Sequence, residues 1–243
     1  MLFKSEVITQ GSGSIGGVTY SHNRGGLYRR ARAIPVNPNT GFQVVVRAAL
    51  TQAVTRWTST LTETERAGWN LYAANTPVLG VLGDMIQLSG QNMYIRSHSV
   101  LAQLLARSLT GAGIAEVDNP PTVFNLGDFT TPSFVADVSS GLLITFDNSD
   151  DWANEGGSTL NISMGRPQNP SVNFYNGPWR LVSTAQGDDV TPPTSPLTIA
   201  PGVINTDGYP FVVGQKVWTR YRVLRQDGRL SSDRIVGPQL AIA

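Results

Sequence analysis

The chain has 243 residues, of which 40% are hydrophobic and 14% are charged, and its formal net charge is +1. The length and hydrophobic content suffice for a buried core, so they exclude a chain that is disordered throughout. The absence of cysteine excludes disulfides, thiolate metal sites and a cysteine nucleophile. The charged fraction is well below the roughly 25% of typical globular domains, which favours an extended, sheet-rich or assembly-bound chain.

Neither a signal peptide nor a membrane span is predicted. The first residues, MLFKSEVITQGSGS, contain one lysine but no apolar run of signal-peptide length. No stretch approaches the roughly 18 apolar residues of a transmembrane helix. We therefore expect a protein that is soluble when made and has no membrane partner.

Positive charge is concentrated in the first half of the chain. Residues 1–110 hold 10 basic and 4 acidic side chains, whereas residues 111–243 hold 8 and 13. Only Lys4 and Lys216 are lysine, so the other 16 basic residues are arginine. The planar guanidinium suits contacts with carboxylates, carbonyls and phosphates at interfaces. The composition therefore indicates interface contacts.

An arginine-rich stretch, GVTYSHNRGGLYRRARAIPVNP, occupies residues 17–38 and contains no carboxylate. Its β-type runs, VTY and GLYRRARAI, are separated by SHNRGG. Asn23 and the pair Gly25 and Gly26 tolerate the positive φ of a tight turn, and the prolines that follow exclude a helix nearby. We predict that residues 1–40 form an extended basic arm or hairpin.

The side chains of this arm are the candidate subunit interface. They are Arg24, Arg29, Arg30, Arg32, Tyr20 and Tyr28. The arm could grip a neighbouring subunit or a phosphate backbone, or it could be a solvated surface hairpin. Nucleic acid is the less favoured partner, because the net charge is near zero, lysine is almost absent, and no RNP-like or helix-turn-helix pattern accompanies the arginines.

Residues 41–110 show helical periodicity. Apolar side chains recur at three-to-four-residue spacing up to Trp57, and the T-x-x-E motif of Thr62 and Glu65 predicts a capping box at the start of a second helix. We expect Trp57 and Trp69 to pack together across the short connection. A third helix is predicted over SGQNMYIRSHSVLAQLLARSLTG, which completes a small helical unit.

Beyond a proline-containing linker at 111–132, residues 133–243 contain short β-type runs between turn clusters. The runs are SFVADVS, LLITFD, TLNISMGR, PWRLVST, PLTIA and QKVWTRYRVLR. The last run alternates, which places Val217, Thr219, Tyr221 and Val223 on one face. This spacing predicts an all-β sandwich of immunoglobulin or fibronectin-III type that lacks the disulfide. The expected fold class is α+β and multidomain.

No catalytic residue, cofactor or metal site is predicted. His22 and His98 are the only histidines, and neither has the spacing of a metal-ligand pair. The stretch DNSDDWANEGG has no glycine at its sixth position, where an EF-hand loop requires one. It fits a polar turn between strands instead. Nucleophile-elbow, Walker and dinucleotide motifs are absent. A pair of carboxylates that cleaves glycosidic bonds could be formed by residues distant in the sequence, but no motif indicates which residues these would be.

Four segments of the chain carry a resemblance to a known class of protein. They are GGVTYSHNRGGLYRRARAIPVNPNT, WTSTLTETERAGWNLYA, GQNMYIRSHSVL and VGQKVWTRYRVLRQDGRLSS. In this order they resemble structural proteins encoded by tailed bacteriophages and prophages, over most of the chain. The resemblance implies a virion component with a basic arm, a helical hairpin and a C-terminal immunoglobulin-like domain of the kind that decorates phage heads and tails. It implies no active site.

The resemblance also implies roles for particular residues. The arm would run from Arg24 to Arg32. The core and cap of the helical hairpin would be Trp57, Leu61, Arg66 and Trp69. The terminal β-hairpin would contain Arg220, Arg222, Asp227 and Arg229.

Two functions from different classes are expected. The first is a non-enzymatic head cement or decoration protein whose arm docks on neighbouring subunits, with a tail or connector component as the open alternative. It would reside in the virion, and in the bacterial host cytoplasm during assembly, with major capsid or tail proteins and its own copies as partners. The second is a module that binds the host surface through aromatic residues of the β-domain, although these side chains suit its core better. They are Trp152, Tyr175, Trp179 and Trp218.

The uneven charge also predicts where the arm would bind. Arginines in the basic half can pair with carboxylates in the acidic half of a neighbouring copy, or with an acidic partner protein. The carboxylates expected to take part are Asp147, Asp150, Asp151 and Glu155.

Overall fold

A computed structural model describes residues 12–24, 26–80, 83–106 and 118–243. The chain divides into two compact units, Met1–Gly41 and Phe42–Ala243. The predicted arm before residue 12, the turn residue Gly25 and the first part of the predicted linker lie outside the described residues.

The first unit contains a three-stranded antiparallel sheet in the order β1-β2-β3. Its strands are β1 (Gly13–Ile15), β2 (Val18–Asn23) and β3 (Gly26–Ala31). Asn23 pairs with Gly26, so the hairpin connection falls where the sequence predicted it. Gly16 has φ of 58°, a conformation that suits glycine in the tight β1–β2 turn. Among the described residues up to 41, none is buried.

Three helices begin the second unit: α1 (Gly41–Ser59), α2 (Glu63–Asn75) and α3 (Gly90–Ala106). The predicted capping box is confirmed, because the Glu65 N–H donates to Thr62 Oγ1 at 3.3 Å and the Thr62 N–H donates to the Glu65 carboxylate at 2.6 Å. Two short antiparallel strands, β4 (Val78–Leu79) and β5 (Met85–Ile86), lie between α2 and α3.

Arg66 joins α2 to the end of α1. Its guanidinium donates to the Trp57 and Thr58 carbonyls, each at 3.0 Å, at the end of α1 where helix carbonyls lack partners within the helix. The indoles of Trp57 and Trp69 each contact the ring of Tyr94, with centroids 5.6 and 5.4 Å apart. The two tryptophans are therefore linked through a ring of α3, which the pairwise prediction from α1 and α2 alone missed.

Two antiparallel sheets form the rest of the second unit. One has the order β10-β7-β6, from β6 (Ser133–Asp137), β7 (Gly141–Thr145) and β10 (Leu197–Ile199). The other has the order β12-β11-β8-β9, from β8 (Thr159–Gly165), β9 (Trp179–Gln186), β11 (Lys216–Leu224) and β12 (Arg234–Leu240). The short helix α4 (Pro201–Asp207) follows β10. All six predicted β-type runs contain a strand.

Periodicity did not predict β12 or α4, but the terminal β-hairpin that the resemblance implied is present, because β11 pairs with β12 in antiparallel fashion. β12 contains Gly237 and Pro238, which interrupt its β pattern, and an edge strand tolerates proline because one side of its backbone needs no partner. α4 has seven residues and begins with proline at its first position. Both elements are too short or too interrupted to give a periodic signal.

The alternation predicted for β11 is confirmed. The strand contributes side chains to two hydrophobic cores. Val217, Tyr221 and Val223 are fully buried in the core between the two sheets. Leu224 belongs instead to a second core with Trp69 and other residues of the helices. The helical core therefore meets the four-stranded sheet at the end of β11, and Arg96 of α3 donates to the carbonyls of Leu230 and Ser231 just beyond it, at 3.0 and 2.8 Å.

Helices and antiparallel sheets thus occupy successive parts of the chain, and the α+β class is confirmed. The division into an arm at 1–40, a helical unit at 41–110, a linker at 111–132 and a β-domain at 133–243 stays a prediction. None of the helices in the described part of the chain has the length and apolar content needed to cross a lipid bilayer.

Replacing Trp69 by Ala should lower the free energy of unfolding by about 3–5 kcal/mol, because its fully buried indole would leave a cavity. Trp57→Ala should cost less, since that side chain is only partly buried. Urea titration followed by circular dichroism measures both changes. Leu71→Ala is the control, because Leu71 is 59% exposed; an equal loss in all three variants would contradict the packing described here.

Candidate functional site

The register of the N-terminal sheet divides the predicted interface residues between its two faces. Directly opposed residues of an antiparallel pair project to the same face, and successive residues of a strand alternate. Tyr20 pairs with Arg29, so these two side chains share a face. Tyr28 and Arg30, which flank Arg29 along β3, project to the other face.

The two faces differ in chemistry. The apolar face consists of Ile15, Val18, Tyr20, Leu27 and Ala31, together with Arg29 and His22. The polar face consists of Ser14, Thr19, Ser21, Asn23, Tyr28 and Arg30. A hydrogen bond of 2.8 Å between Ser14 Oγ and Thr19 Oγ1 lies on the polar face.

The other two predicted arginines lie on neither face. Arg24 is exposed at the β2–β3 turn, and Arg32 is exposed just after β3, where its N–H donates to the Gly17 carbonyl at 2.8 Å. The six predicted residues therefore do not form one cluster. The sequence prediction omitted Ile15, Val18 and Leu27, although the period-two alternation of the strands was the signal that could have found them.

A group of exposed carboxylates lies at one end of the two sheets of the second unit, where three loops meet. The Asp128 N–H donates to Asp151 Oδ2 at 2.7 Å, and the Asp188 N–H donates to the Ala153 carbonyl at 3.0 Å. We call this surface the acidic end. Its exposed carboxylates are Asp128, Asp147, Asp151, Asp188 and Asp189.

Two of the carboxylates expected to bind the arm are buried or ion-paired within the chain. Asp150 is 4% exposed, and its carboxylate accepts hydrogen bonds from the Thr130 N–H and hydroxyl and from Trp152 Nε1. Glu155 forms an ion pair with Arg225. The expectation for Asp150 is therefore wrong, because a buried carboxylate that closes a loop cannot reach a neighbouring copy.

Local hydrogen bonds stabilise the ionised form of two carboxylates of the acidic end, Asp147 and Asp188. The hydroxyl and N–H of Ser149 hold the pKa of Asp147 below its ordinary value. The Thr191 and Val190 N–H groups lower the pKa of Asp188 in the same way. These carboxylates consequently carry negative charge at neutral pH and in mildly acidic solution.

The aromatic residues considered for host-surface binding are mostly inside the second unit. Trp152, Trp218 and Tyr175 are 0%, 3% and 8% exposed. Tyr175 stacks on Trp218 at 5.6 Å and donates its hydroxyl to the Pro178 carbonyl at 2.6 Å. Trp179 is partly exposed and meets Tyr175 edge-on. Trp152, Trp218 and Tyr175 are therefore buried, and Trp179 alone of the four is partly exposed.

Asp118 is a junction that the sequence did not reveal. Its carboxylate forms an ion pair with Arg56 of α1 and accepts the Tyr94 hydroxyl of α3 at 2.9 Å. Its carbonyl accepts Trp69 Nε1 of α2 at 2.9 Å. The ring of His98 stacks on Tyr94. One residue of the predicted linker therefore joins all three helices, and the cluster is a structural cross-link between packed elements.

The ionisation of Asp118 is coupled to this junction. Burial raises the pKa of its carboxyl, but the hydrogen bonds from Arg56 and Tyr94 and the charge of Arg56 outweigh burial and hold the pKa below its ordinary value. Burial and the hydrogen bond to Asp118 raise the pKa of Tyr94. The junction thus consists of a carboxylate, a guanidinium and a neutral phenol at neutral pH.

No metal cluster accompanies these groups in the described ranges, and one small cavity lies beside Asp137. No three His, Cys, Asp or Glu side chains there are arranged to hold a metal ion. A cavity of about 150 Å³ is lined by Asp137, Gly141, Ile204 and Phe211, among others, below the roughly 300 Å³ of small ligand pockets. Hydrogen bonds from Ser139 and Ser140 lower the pKa of Asp137 to about 2, so this carboxylate closes a turn.

Comparison with protein-family models, curated proteins and solved structures finds no match to this chain.

Replacing Asp118 by Asn should lower the free energy of unfolding at pH 7 by about 1–3 kcal/mol, the usual range for hydrogen bonds to a charged group. Because the folded-state pKa is depressed, the stabilisation is present above the unfolded pKa of about 3.9 and is lost as pH falls through the folded value. Urea titrations from pH 7 to pH 3 should therefore show the wild type and the variant converging below about pH 4. Asp189→Asn, at an exposed position, is the matched control and should show little difference at either pH.

Proposed function

We propose that this chain is a non-enzymatic structural component of a bacteriophage virion, a head cement or decoration protein whose N-terminal sheet docks on neighbouring subunits. One observation carries the proposal: the N-terminal unit is a sheet in which none of the described residues is buried. The resemblance of the chain to phage structural proteins supplies the class of particle.

A sheet of this size needs a surface outside itself. Small sheets have marginal stability in water and gain stability when a hydrophobic face is packed against another layer. The described residues of the N-terminal sheet provide no such layer, so ordering the strands costs conformational entropy that internal burial does not offset. Docking on a neighbouring subunit in a many-copy assembly supplies the missing contact area.

The distribution of charge supports docking between subunits. Residues 12–41 contain four arginines and no carboxylate, whereas residues 42–243 contain 13 basic and 16 acidic residues. The acidic end presents five exposed carboxylates on three loops. Exposed ion pairs contribute only about 0–1 kcal/mol each, so we expect the arginines to guide orientation and encounter more than affinity.

The two sheets of the second unit support an immunoglobulin-like or fibronectin-III-like outward domain. A three-stranded sheet and a four-stranded sheet share one core, with the orders β10-β7-β6 and β12-β11-β8-β9. The Asp137–Ile242 bridge adds a parallel contact between the first and last parts of this region. Antiparallel strands that cross between two packed sheets are the pattern of such domains.

Replacing Arg24, Arg29, Arg30 and Arg32 together by Ala should abolish incorporation into particles, because the sheet would lose the positive charges that attract the carboxylates of a neighbouring subunit. Electron-microscopy reconstruction of particles made by the phage or prophage that carries the gene measures the copy number and position of the protein. Circular dichroism of the purified variant should match that of the wild type.

The corresponding fourfold Arg→Lys variant keeps the charge and should retain more incorporation than the Ala variant. Incorporation of the Ala variant at the wild-type copy number would contradict the proposal. Duplex DNA binding by the purified chain, with a salt slope of about −0.9 per phosphate contacted, would favour a nucleic-acid contact if the Ala variant loses it and still assembles.

A further inference from the structure

Exposed apolar side chains gather at the end of the two sheets that lies opposite the acidic end. Several segments run side by side there, because Gln168 and Lys216 exchange two backbone hydrogen bonds of 2.9 Å and Lys216 pairs with Leu240. The Ile242 N–H donates to the Ala136 carbonyl at 2.9 Å, which adds the end of β6. We call this surface the apolar end. Its exposed apolar side chains are Val138, Phe174, Val212, Val213, Leu240 and Ile242.

Phe174 is an exposed aromatic residue on a loop that is held in place on both sides of it. Its side chain is 78% exposed. Before it, Lys216 Nζ donates to Asn173 Oδ1 at 2.5 Å, and after it the buried Tyr175 accepts the Arg166 N–H at 2.7 Å. An aromatic side chain on an ordered loop loses little conformational freedom on binding. Phe174 therefore has the properties of a preformed anchor for an interface.

A cavity of matching size opens at the same end. Its volume is about 150 Å³, and an engineered apolar cavity of roughly this volume in another protein holds one benzene molecule. Pro201, Pro210 and Phe211 give the cavity apolar walls, and Asp137 and Val138 line it beside the apolar end. The cavity therefore has room for the ring of one aromatic side chain.

We propose that two copies of the chain associate through the apolar end, with Phe174 of each copy in the cavity of the other. Phe174 is too exposed to fill the cavity of its own copy. An anchor and a cavity on one surface are self-complementary, because a two-fold axis forms the same contact twice. This surface differs from the N-terminal sheet, so the inference does not depend on the proposed function.

The distribution of charge favours the apolar end over the acidic end for contact between copies. The apolar end contains charges of both signs, including Asp137 and Lys216. In a two-fold contact, Lys216 of each copy faces a surface that carries Asp137 of the other. Two acidic ends would bring only carboxylates together, and like charges at an interface are costly. Burial of the exposed apolar side chains adds a favourable contribution that the acidic end lacks.

Removal of the anchor tests the contact. In sedimentation velocity of the full chain, Phe174→Ala should weaken dimerisation at least tenfold, the usual loss for a central aromatic anchor. Val190→Ala is the matched control, because Val190 is 84% exposed at the acidic end, and it should change dimerisation by less than about twofold. Urea titration should give both variants the stability of the wild type. Equal effects of the two variants, or a wild-type chain that stays monomeric at millimolar concentration, would overturn the proposal.

Mixing two defective variants tests whether anchor and cavity meet between copies. Asn205 is exposed on α4 and lines the cavity, so Asn205→Trp should block it. Neither Phe174→Ala nor Asn205→Trp can form the contact with its own kind. A mixed dimer regains one contact, because Phe174 of the Asn205→Trp chain meets the open cavity of the Phe174→Ala chain. Native mass spectrometry, with one variant ¹⁵N-labelled, should show mixed dimers above their statistical share; a statistical share would contradict the inference.

Photo-crosslinking identifies the occupant of the cavity. The photoreactive amino acid p-benzoylphenylalanine replaces Phe174, and the variant is mixed with ¹⁵N-labelled wild type, irradiated and analysed by mass spectrometry. Crosslinks to residues 137–141 or 201–211 of a labelled copy support the proposal. Crosslinks to residues 1–41 of either copy, or crosslinks only within one copy, overturn it.

Discussion

The ion pair and hydrogen bonds of Asp118 hold the helical layer of this protein together. Arg56, Trp69 and Tyr94 come from three different helices, and all three bind this one residue. A partly buried carboxylate that binds a guanidinium and a phenol fixes the relative positions of its partners, because displacement of any helix would leave polar groups unpaired. The helices so joined share a core with Leu224, at the end of β11, and with Leu230.

The N-terminal sheet shows the opposite physical situation. Its strands pair in register and alternate correctly, yet nothing among its described residues is buried. Hydrogen bonds alone add little net stability, because the unfolded strands bond equally well to water. Residues 12–41 also contain four arginines and no carboxylate, and on this combination we base the proposal that the sheet binds a partner. That proposal follows from this contrast between the two units.

Carboxylates in the second unit have two distinct roles, and the role of each depends on whether its side chain is buried or exposed. Asp118 and Asp150 bind groups of the same chain and stabilise its loops and helices. Asp147 and Asp188 cap turns at the surface and stay ionised there, because local N–H and hydroxyl groups stabilise the charged form. Under the proposed function, only carboxylates of the second kind are accessible to the arginines of a neighbouring subunit.

The sequence by itself determined the elements with a strong local cause: the Thr62 capping box, the hairpin before Gly26 and the clean alternation of β11. These depend on neighbours within a few residues, so their signal is present in the order of the residues. Tertiary structure decided which groups meet: Trp57 with Trp69 only through Tyr94, Asp150 inside a loop, and Tyr20 and Tyr28 on opposite faces. It alone revealed Asp118 as the junction of three helices. Such contacts join residues far apart in the chain, and no local spacing encodes which distant partner will occupy a buried position.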